Sequence, residues 1–263
     1  MRTRLSRREL VIAAWGAATF GCVLASYFAF RPVRDALILD GDPDRIPWLF
    51  TATFIVVSAI TPLWGRLLAR HSPRRLVPNA FHVFALCELG FCVLVRADVA
   101  PVWVGRVFYV WSAVFNLFVV SVLWSLFADL LGPGAASTLY GPITAGGTIG
   151  AIVGPFLTTH LVGTIGVAGV LAMSAVLLEL ATIGIARVRI AAAGEAHAAD
   201  PPPAHGGAFT GLAHVVKSRY LAAIVGYVLC TACAATFLYL EQANITHRLL
   251  PNREARTQFL GSI

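Results

Sequence analysis

The chain has 263 residues, of which 58% are hydrophobic and 13% charged, and its formal net charge is +7. Water-soluble domains carry about twice that share of charged residues, so the composition excludes a water-soluble fold of this size. The positive charge does not indicate nucleic acid as a partner, because apolar segments separate the arginines and no continuous basic stripe forms. The solvent that this composition predicts is a lipid bilayer.

Seven apolar segments are long enough to cross a bilayer as helices, which takes about 20 residues each. In chain order the predicted spans cover residues 10–30, 46–65, 76–95, 107–128, 140–163, 166–186 and 220–240. A short turn at Gly163–Gly166 divides the fifth span from the sixth. Glycines repeat every fourth residue in the fifth span, a spacing that predicts close helix packing. The fold class is therefore all-α, a polytopic transmembrane helix bundle.

Basic residues are concentrated in alternate connections between the spans. With a cytoplasmic N-terminus, twelve of the 20 Lys and Arg residues lie in cytoplasmic segments. Cytoplasmic loops of membrane proteins carry such an excess. The distribution predicts a multi-pass protein of the bacterial inner (plasma) membrane whose N-terminus is cytoplasmic.

Residues 191–217 differ in composition from everything around them. Alanine, proline, glycine and histidine without periodicity predict a flexible cytoplasmic linker. It separates a six-helix transmembrane bundle, 1–190, from the start of a second, truncated bundle, 218–263. This layout is typical of transporters built from two six-helix halves. We therefore expect either a homodimer or a missing C-terminal half to complete the molecule.

The end of the first span carries the charged cluster Arg31, Arg34 and Asp35. The spacings of three and four would place these side chains on one face of a continuing helix, which Pro32 would distort. Two guanidinium groups offer planar donor forks that suit phosphate or carboxylate. The cluster is either part of an anion-binding site or a self-satisfied ion pair at an ordinary membrane boundary.

The fourth span carries a polar stripe of Arg106, Tyr109, Ser112 and Asn116 at spacings of three and four. Inside a membrane such a stripe lines a cavity or makes hydrogen bonds between helices. In the first case Arg106, Tyr109 and Asn116 would contact the substrate.

Acidic residues inside the spans are candidates for proton coupling or gating. Glu88 lies in the middle of the third span and Glu179 in the sixth, and each either couples protons or is neutralised by burial or an arginine. Asp129 at the end of the fourth span is predicted to pair with an arginine of the 66–75 region, where Arg70 and Arg74 lie. That role would be structural or gating.

The sequence contains no recognisable catalytic or metal-binding arrangement. Its seven histidines are scattered, and no acid pair or nucleophile with its base stands out. Its five cysteines lie in apolar runs, where small buried helix residues are expected. We therefore expect neither an enzyme nor a bound cofactor or metal.

Residues 65–75, GRLLARHSPRR, resemble the G-x-L-x-D-R-x-G-R-R loop of the major facilitator superfamily. Ala69 stands at the aspartate of that pattern and Pro73 at its second glycine, which removes the usual gating ion pair of the loop. Gly150-x-x-x-Gly154-Pro155 resembles the fifth-helix motif of the same superfamily. This resemblance implies the superfamily fold, with residues 1–190 as its N-terminal half and one further span.

A second resemblance is to the bacterial and plastid ATP/ADP translocases and their relatives. Residues 31–37, RPVRDAL, are similar to R-x-x-K-D-T-L of that family, and residues 120–129 resemble its fourth-helix motif. Arg34 replaces a lysine and Asp129 an asparagine. The resemblance implies a small anionic solute, nucleotide-like or of another kind, moved by alternating access. The alternative is a truncated, non-transporting membrane protein that acts as a scaffold or partner subunit.

Overall fold

The computed structural model describes residues 6–41, 46–70, 73–131, 133–193, 218–250 and 252–262. For residues 64–70, 73–75, 133–137 and 219 it describes the backbone only. These residues form helices and no strands, which confirms the all-α prediction. The helices are α1 (Arg7–Ile38), α2 (Ile46–Arg70), α3 (Pro73–Arg96), α4 (Pro101–Leu130), α5 (Pro133–Ala192), α6 (Arg219–Leu249) and α7 (Arg253–Ser262).

The chain divides into two compact units. One contains Met1–Ala196 with Leu250–Ile263, and therefore α1 to α5 and α7; the other contains His197–Leu249, and therefore α6. Most of the predicted linker, from residue 194 to 217, lies outside the described residues. The predicted domain boundaries therefore stay predictions.

Helix α5 contains two arms that run in opposite directions. Its backbone leaves the helical region at Gly166, with φ 70° and ψ 175°, a conformation that glycine adopts without steric penalty. The first arm runs parallel to α1, since Gly146 lies against Ala17 and Gly154 against Ala25. The second arm returns antiparallel to α1, and the predicted turn at 163–166 is therefore confirmed.

Six of the described helices are long and apolar enough to cross a membrane. Because α5 contains two arms, these six helices supply seven potential crossings, as the sequence predicts. The bundle has two ends, which we call the Gly166 end, with Ile38 and Gly166, and the N-terminal end, with Arg8. At the N-terminal end, the Arg8 guanidinium donates hydrogen bonds of 2.7 and 2.9 Å to the carbonyls of Ala191 and Ala193.

Helix α1 is central because small residues let its neighbours approach its backbone. A Cβ added to Gly150 would overlap the carbonyl oxygen of Gly21, and one added to Gly105 of α4 would lie 2.6 Å from that of Leu37. The Thr158 hydroxyl donates a 2.7 Å hydrogen bond to the carbonyl of Ala29. The packing interpretation of the glycine repeat is therefore confirmed. Such close approach provides dispersion contacts where no hydrophobic effect drives helices together.

Aromatic rings fill the space between α1, α3 and α4. The Phe30 ring contacts Phe108 and Phe115 in edge-to-face geometry, with centroids 5.5 and 5.1 Å apart. Phe91 of α3 packs on Phe108 at 4.8 Å. Each such pair contributes roughly 0.5–1.5 kcal/mol beyond area burial. The cluster fixes α4 antiparallel to α1 near the Gly166 end.

The short helix α7 is held at the Gly166 end by two arginines. The Arg253 guanidinium donates a 2.7 Å hydrogen bond from Nε to Asp40 Oδ2, and its Nη2 lies 2.7 Å from the same oxygen. Arg256 Nη1 donates to the Leu39 carbonyl at 2.9 Å and approaches Asp40 Oδ1 at 3.4 Å. Asp98 adds a longer contact of 3.6 Å to Arg253. The end of α1 therefore binds α7 by charge-assisted contacts.

Candidate functional site

Glu88 is the most deeply buried acidic residue of the described chain, with 0% exposure. It lies on α3 where that helix meets α1 and the second arm of α5. The Ser174 hydroxyl oxygen lies at a hydrogen-bond distance of 2.9 Å from Glu88 Oε2. The same hydroxyl lies 3.0 Å from Ser26 Oγ and 3.2 Å from the Ser26 carbonyl oxygen. Glu88 Oε1 has no hydrogen-bond partner among the described residues.

The polar residues of this junction occupy core positions of helices that are otherwise apolar on that face. Glu88 completes a buried stripe on α3 that begins with Val77, Phe81 and Ala85. Ser174 lies between Leu171 and Leu178 in the buried stripe of the second arm of α5, which includes Val167, Val170, Leu171, Ser174, Leu178, Ala181 and Ile185. Helical periodicity therefore places both side chains in the interior.

Glu179, the other predicted intramembrane acid, has a different environment. Its Oε1 lies 2.9 Å from His82 Nδ1 on α3, and the side chains are 44% and 52% exposed. Glu179 also lines a groove of about 200 Å³ between α3 and the second arm of α5. His82 is not among the predicted site residues, although its position inside the third apolar span could have indicated a polar partner for an acidic residue.

Arg34 and Asp35 form an ion pair at the Gly166 end of α1. Arg34 Nε donates a 2.7 Å hydrogen bond to Asp35 Oδ1, and Nη2 lies 2.6 Å from the same oxygen. The Arg34 guanidinium also lies over the Tyr109 ring of α4, 4.9 Å from its centroid. The structure therefore brings three of the predicted substrate-contacting residues together. This geometry matches the alternative of a self-satisfied pair.

Arg31, Arg34 and Asp35 share one face of α1, as their spacing predicts, but their environments differ. Helix α1 continues through Pro32 to Ile38, but Arg34 and Asp35 are buried whereas Arg31 is exposed. Arg31 lies one turn before the pair, where its side chain is exposed. The Arg31 guanidinium is 5.8 Å from the Phe28 ring centroid.

The polar stripe of α4 is also divided between environments. Tyr109 and Ser112 are buried, and the Ser112 hydroxyl donates a 2.7 Å hydrogen bond to the Tyr109 carbonyl. Asn116 is exposed, and Arg106 is half-buried with its guanidinium 5.0 Å from the Trp103 ring centroid. Within the described chain no carboxylate lies within ion-pair distance of Arg106 or of Arg31. These are two cationic groups at the same end of the bundle.

The predicted gating group at the N-terminal end is only partly described. Asp129 is exposed at the end of α4. The side chains of Arg70 and Arg74 lie outside the described residues. The predicted pairing of Asp129 with an arginine of the 66–75 region therefore stays a prediction.

The membrane-length helices, the two-armed α5 and the polar groups buried between helices define a polytopic helical membrane protein. Comparison with known families places it more narrowly. The sequence profile of the Major Facilitator Superfamily matches residues 10–249, and the chain belongs to that family. Proteins of this family are secondary transporters and, as a rule, not enzymes. No curated protein and no solved structure gives a significant match.

Proposed function

We propose that this chain is part of a secondary transporter that moves a small anionic solute across the bacterial inner membrane by alternating access. The observation that carries the proposal is the pair of arginines at the Gly166 end, Arg31 and Arg106. Each rests on an aromatic ring of its own helix, and neither has a described acidic partner. A charged side chain in or near a membrane is energetically costly unless it pairs with an opposite charge or binds a substrate.

An anionic solute is the substrate class that suits two such groups. Guanidinium groups bind carboxylate and phosphate through paired hydrogen bonds, and aromatic stacking leaves their N–H edges available. Arg34 is a weaker candidate, because Asp35 already neutralises its charge. Arg31 lies near the end of α1 and Arg106 near the start of α4. The two helices are in direct contact there, through Gly105 and Leu37.

The resemblance to ATP/ADP translocases makes nucleotides the first anions to test, followed by phosphate and dicarboxylates. The proposed orientation has the N-terminal end in the cytoplasm, where the excess of basic residues would lie. A second bundle would complete the cavity, either a C-terminal half or a second copy of the chain. Helix α2 supports this part of the proposal, since only 6% of its apolar segment Ile46–Leu63 is buried.

The test is uptake of labelled anions by proteoliposomes that contain the full-length protein. Arg31→Ala and Arg106→Ala are expected to lower uptake at least tenfold, which corresponds to about 1.4 kcal/mol of lost substrate interaction. Arg96→Ala removes an exposed arginine at the C-terminal end of α3, which is also at the Gly166 end of the bundle. This variant serves as the matched control. Unchanged uptake in both variants would refute the anion site. Absence of flux for every solute would favour a non-transporting scaffold.

A further inference from the structure

Three short oxygen–oxygen contacts meet at the Ser174 hydroxyl, between Ser26, Glu88 and Ser174. If Glu88 is ionised, the two serine hydroxyls supply only two hydrogens for these three contacts. A hydroxyl has one hydrogen to donate and two lone pairs to accept with. The Ser174 hydroxyl approaches Glu88 Oε2, Ser26 Oγ and the Ser26 carbonyl at 2.9, 3.0 and 3.2 Å. With Glu88 ionised, the Ser174 hydrogen would be needed both by the carboxylate and by the carbonyl. One of the three contacts would then bring two acceptor oxygens together with no hydrogen between them.

A proton on Glu88 removes that conflict. The Glu88 hydroxyl then donates to Ser174 Oγ, Ser26 donates to the same oxygen, and Ser174 donates to the Ser26 carbonyl. All three contacts become hydrogen bonds, and Ser174 uses its single hydrogen and both lone pairs. Oε1, which has no partner, becomes the oxygen of a neutral carboxyl, whose burial is far less costly than that of an unpaired carboxylate.

No basic group compensates a charge on Glu88. Within the described chain its hydrogen-bond partners are the neutral hydroxyls of Ser174 and Ser26, and it takes part in no ion pair. On the elements packed around it, His82 pairs with Glu179 and Arg34 with Asp35. Other titratable groups of this part of α1, α3 and α4 form no hydrogen bond or ion pair with Glu88; they are Cys22, Tyr27, Arg31, Cys87, Cys92, Arg106 and Tyr109.

The junction is connected to the proposed anion site through α1. Ser26 precedes Arg31 by five residues on one uninterrupted helix, about 7.5 Å along the axis. A displacement of α1 on anion binding would therefore change the distances from Ser26 to Ser174 and Glu88. Once the hydroxyl contacts separate and water enters, the carboxyl can release its proton to that water and remain as a carboxylate.

We propose that Glu88 is a proton-binding site that is protonated in this conformation and loses its proton when α1 moves away from α3 and α5. The inference rests on the proposed transport function: a proton is moved in each cycle in which the anion is moved. The structure favours Glu88 over Glu179 because Glu179 is about half exposed and already pairs with His82.

Infrared spectroscopy of the purified full-length protein tests the proton without any transport. We expect the C=O stretching band of a protonated carboxyl at neutral pH, its loss in Glu88→Gln, and a shift of its frequency in Ser174→Ala. Glu254→Gln, on the exposed face of α7, is the matched control and should leave the band unchanged. A band that persists in Glu88→Gln, or one that disappears in Glu179→Gln instead, would overturn the assignment. If Glu88→Gln does not fold, the frequency shift in Ser174→Ala decides.

Proton movement in proteoliposomes tests the coupling. With an internal pH indicator, the unaltered protein should move protons whenever it moves the labelled anion, and Glu88→Gln should lose uptake driven by a pH gradient. Anion flux without proton flux would overturn the coupling and leave the proposed function intact. Absence of any flux would count against the proposed function, whereas the infrared band would still answer whether Glu88 holds a proton.

Discussion

Replacing Gly105 by alanine tests the contact between α1 and α4 on which the proposed site depends. The added Cβ would lie 2.6 Å from the Leu37 carbonyl oxygen and 3.0 Å from its carbon, whereas ordinary contact begins at 3.4 Å. Both atoms belong to the backbone, so no side-chain rotation relieves the overlap, and the helices must separate by about 0.8 Å. Overpacking of this kind costs roughly 1–3 kcal/mol.

A matched substitution separates that cost from the intrinsic helix preference of alanine. Gly90 also lies in a helix, but a Cβ there has no neighbour within 4 Å. Gly90→Ala should therefore be neutral or stabilise by up to about 1 kcal/mol. In detergent-solubilised protein we expect Gly105→Ala to melt about 2–12 °C below Gly90→Ala, at about 2–4 °C per kcal/mol. Equal melting temperatures would refute the described packing of α4 on α1.

Two further substitutions test the Gly166 end. Gly166→Ala should destabilise the bundle by about 1–3 kcal/mol, because φ 70° with ψ 175° is accessible almost only to glycine. Its melting temperature should fall below that of Gly163→Ala, which meets no neighbour within 4 Å. Asp40→Asn removes the carboxylate that two arginines of α7 approach, and should speed amide hydrogen exchange in 253–262. Asp98→Asn should change it little, since Asp98 is 73% exposed and 3.6 Å away.

The two arginines of residues 31–35 lie in different environments. Arg34 is buried against Asp35 and Tyr109, so replacing it would remove packing and break an ion pair of a buried carboxylate. A loss of transport in Arg34→Ala alone would therefore not identify an anion-binding residue. Arg31 is exposed and has no described acidic partner, which makes it the more informative position.

The sequence by itself determined the membrane class, the helices and the reversal of the chain near Gly166. Long apolar segments have one stable arrangement in a bilayer, because every backbone polar group must be satisfied within its own helix. Small residues at every fourth position of α5 likewise predicted close packing, since that spacing repeats on one helix face. These features depend on residues near one another in the chain, and the structure agrees with the sequence on each.

Only the tertiary structure decided which charged groups meet. Glu88 and Glu179 look alike as single acids in apolar spans, yet one lies in a serine-lined junction and the other pairs with His82. Likewise Asp35 pairs with the adjacent Arg34 rather than with Arg31 one turn earlier. Some of these partners lie on helices that are distant in sequence. Others depend on which residues of a helix are covered by neighbouring helices. Helical periodicity specifies which residues share a face, but only the packing of the bundle specifies what that face contacts.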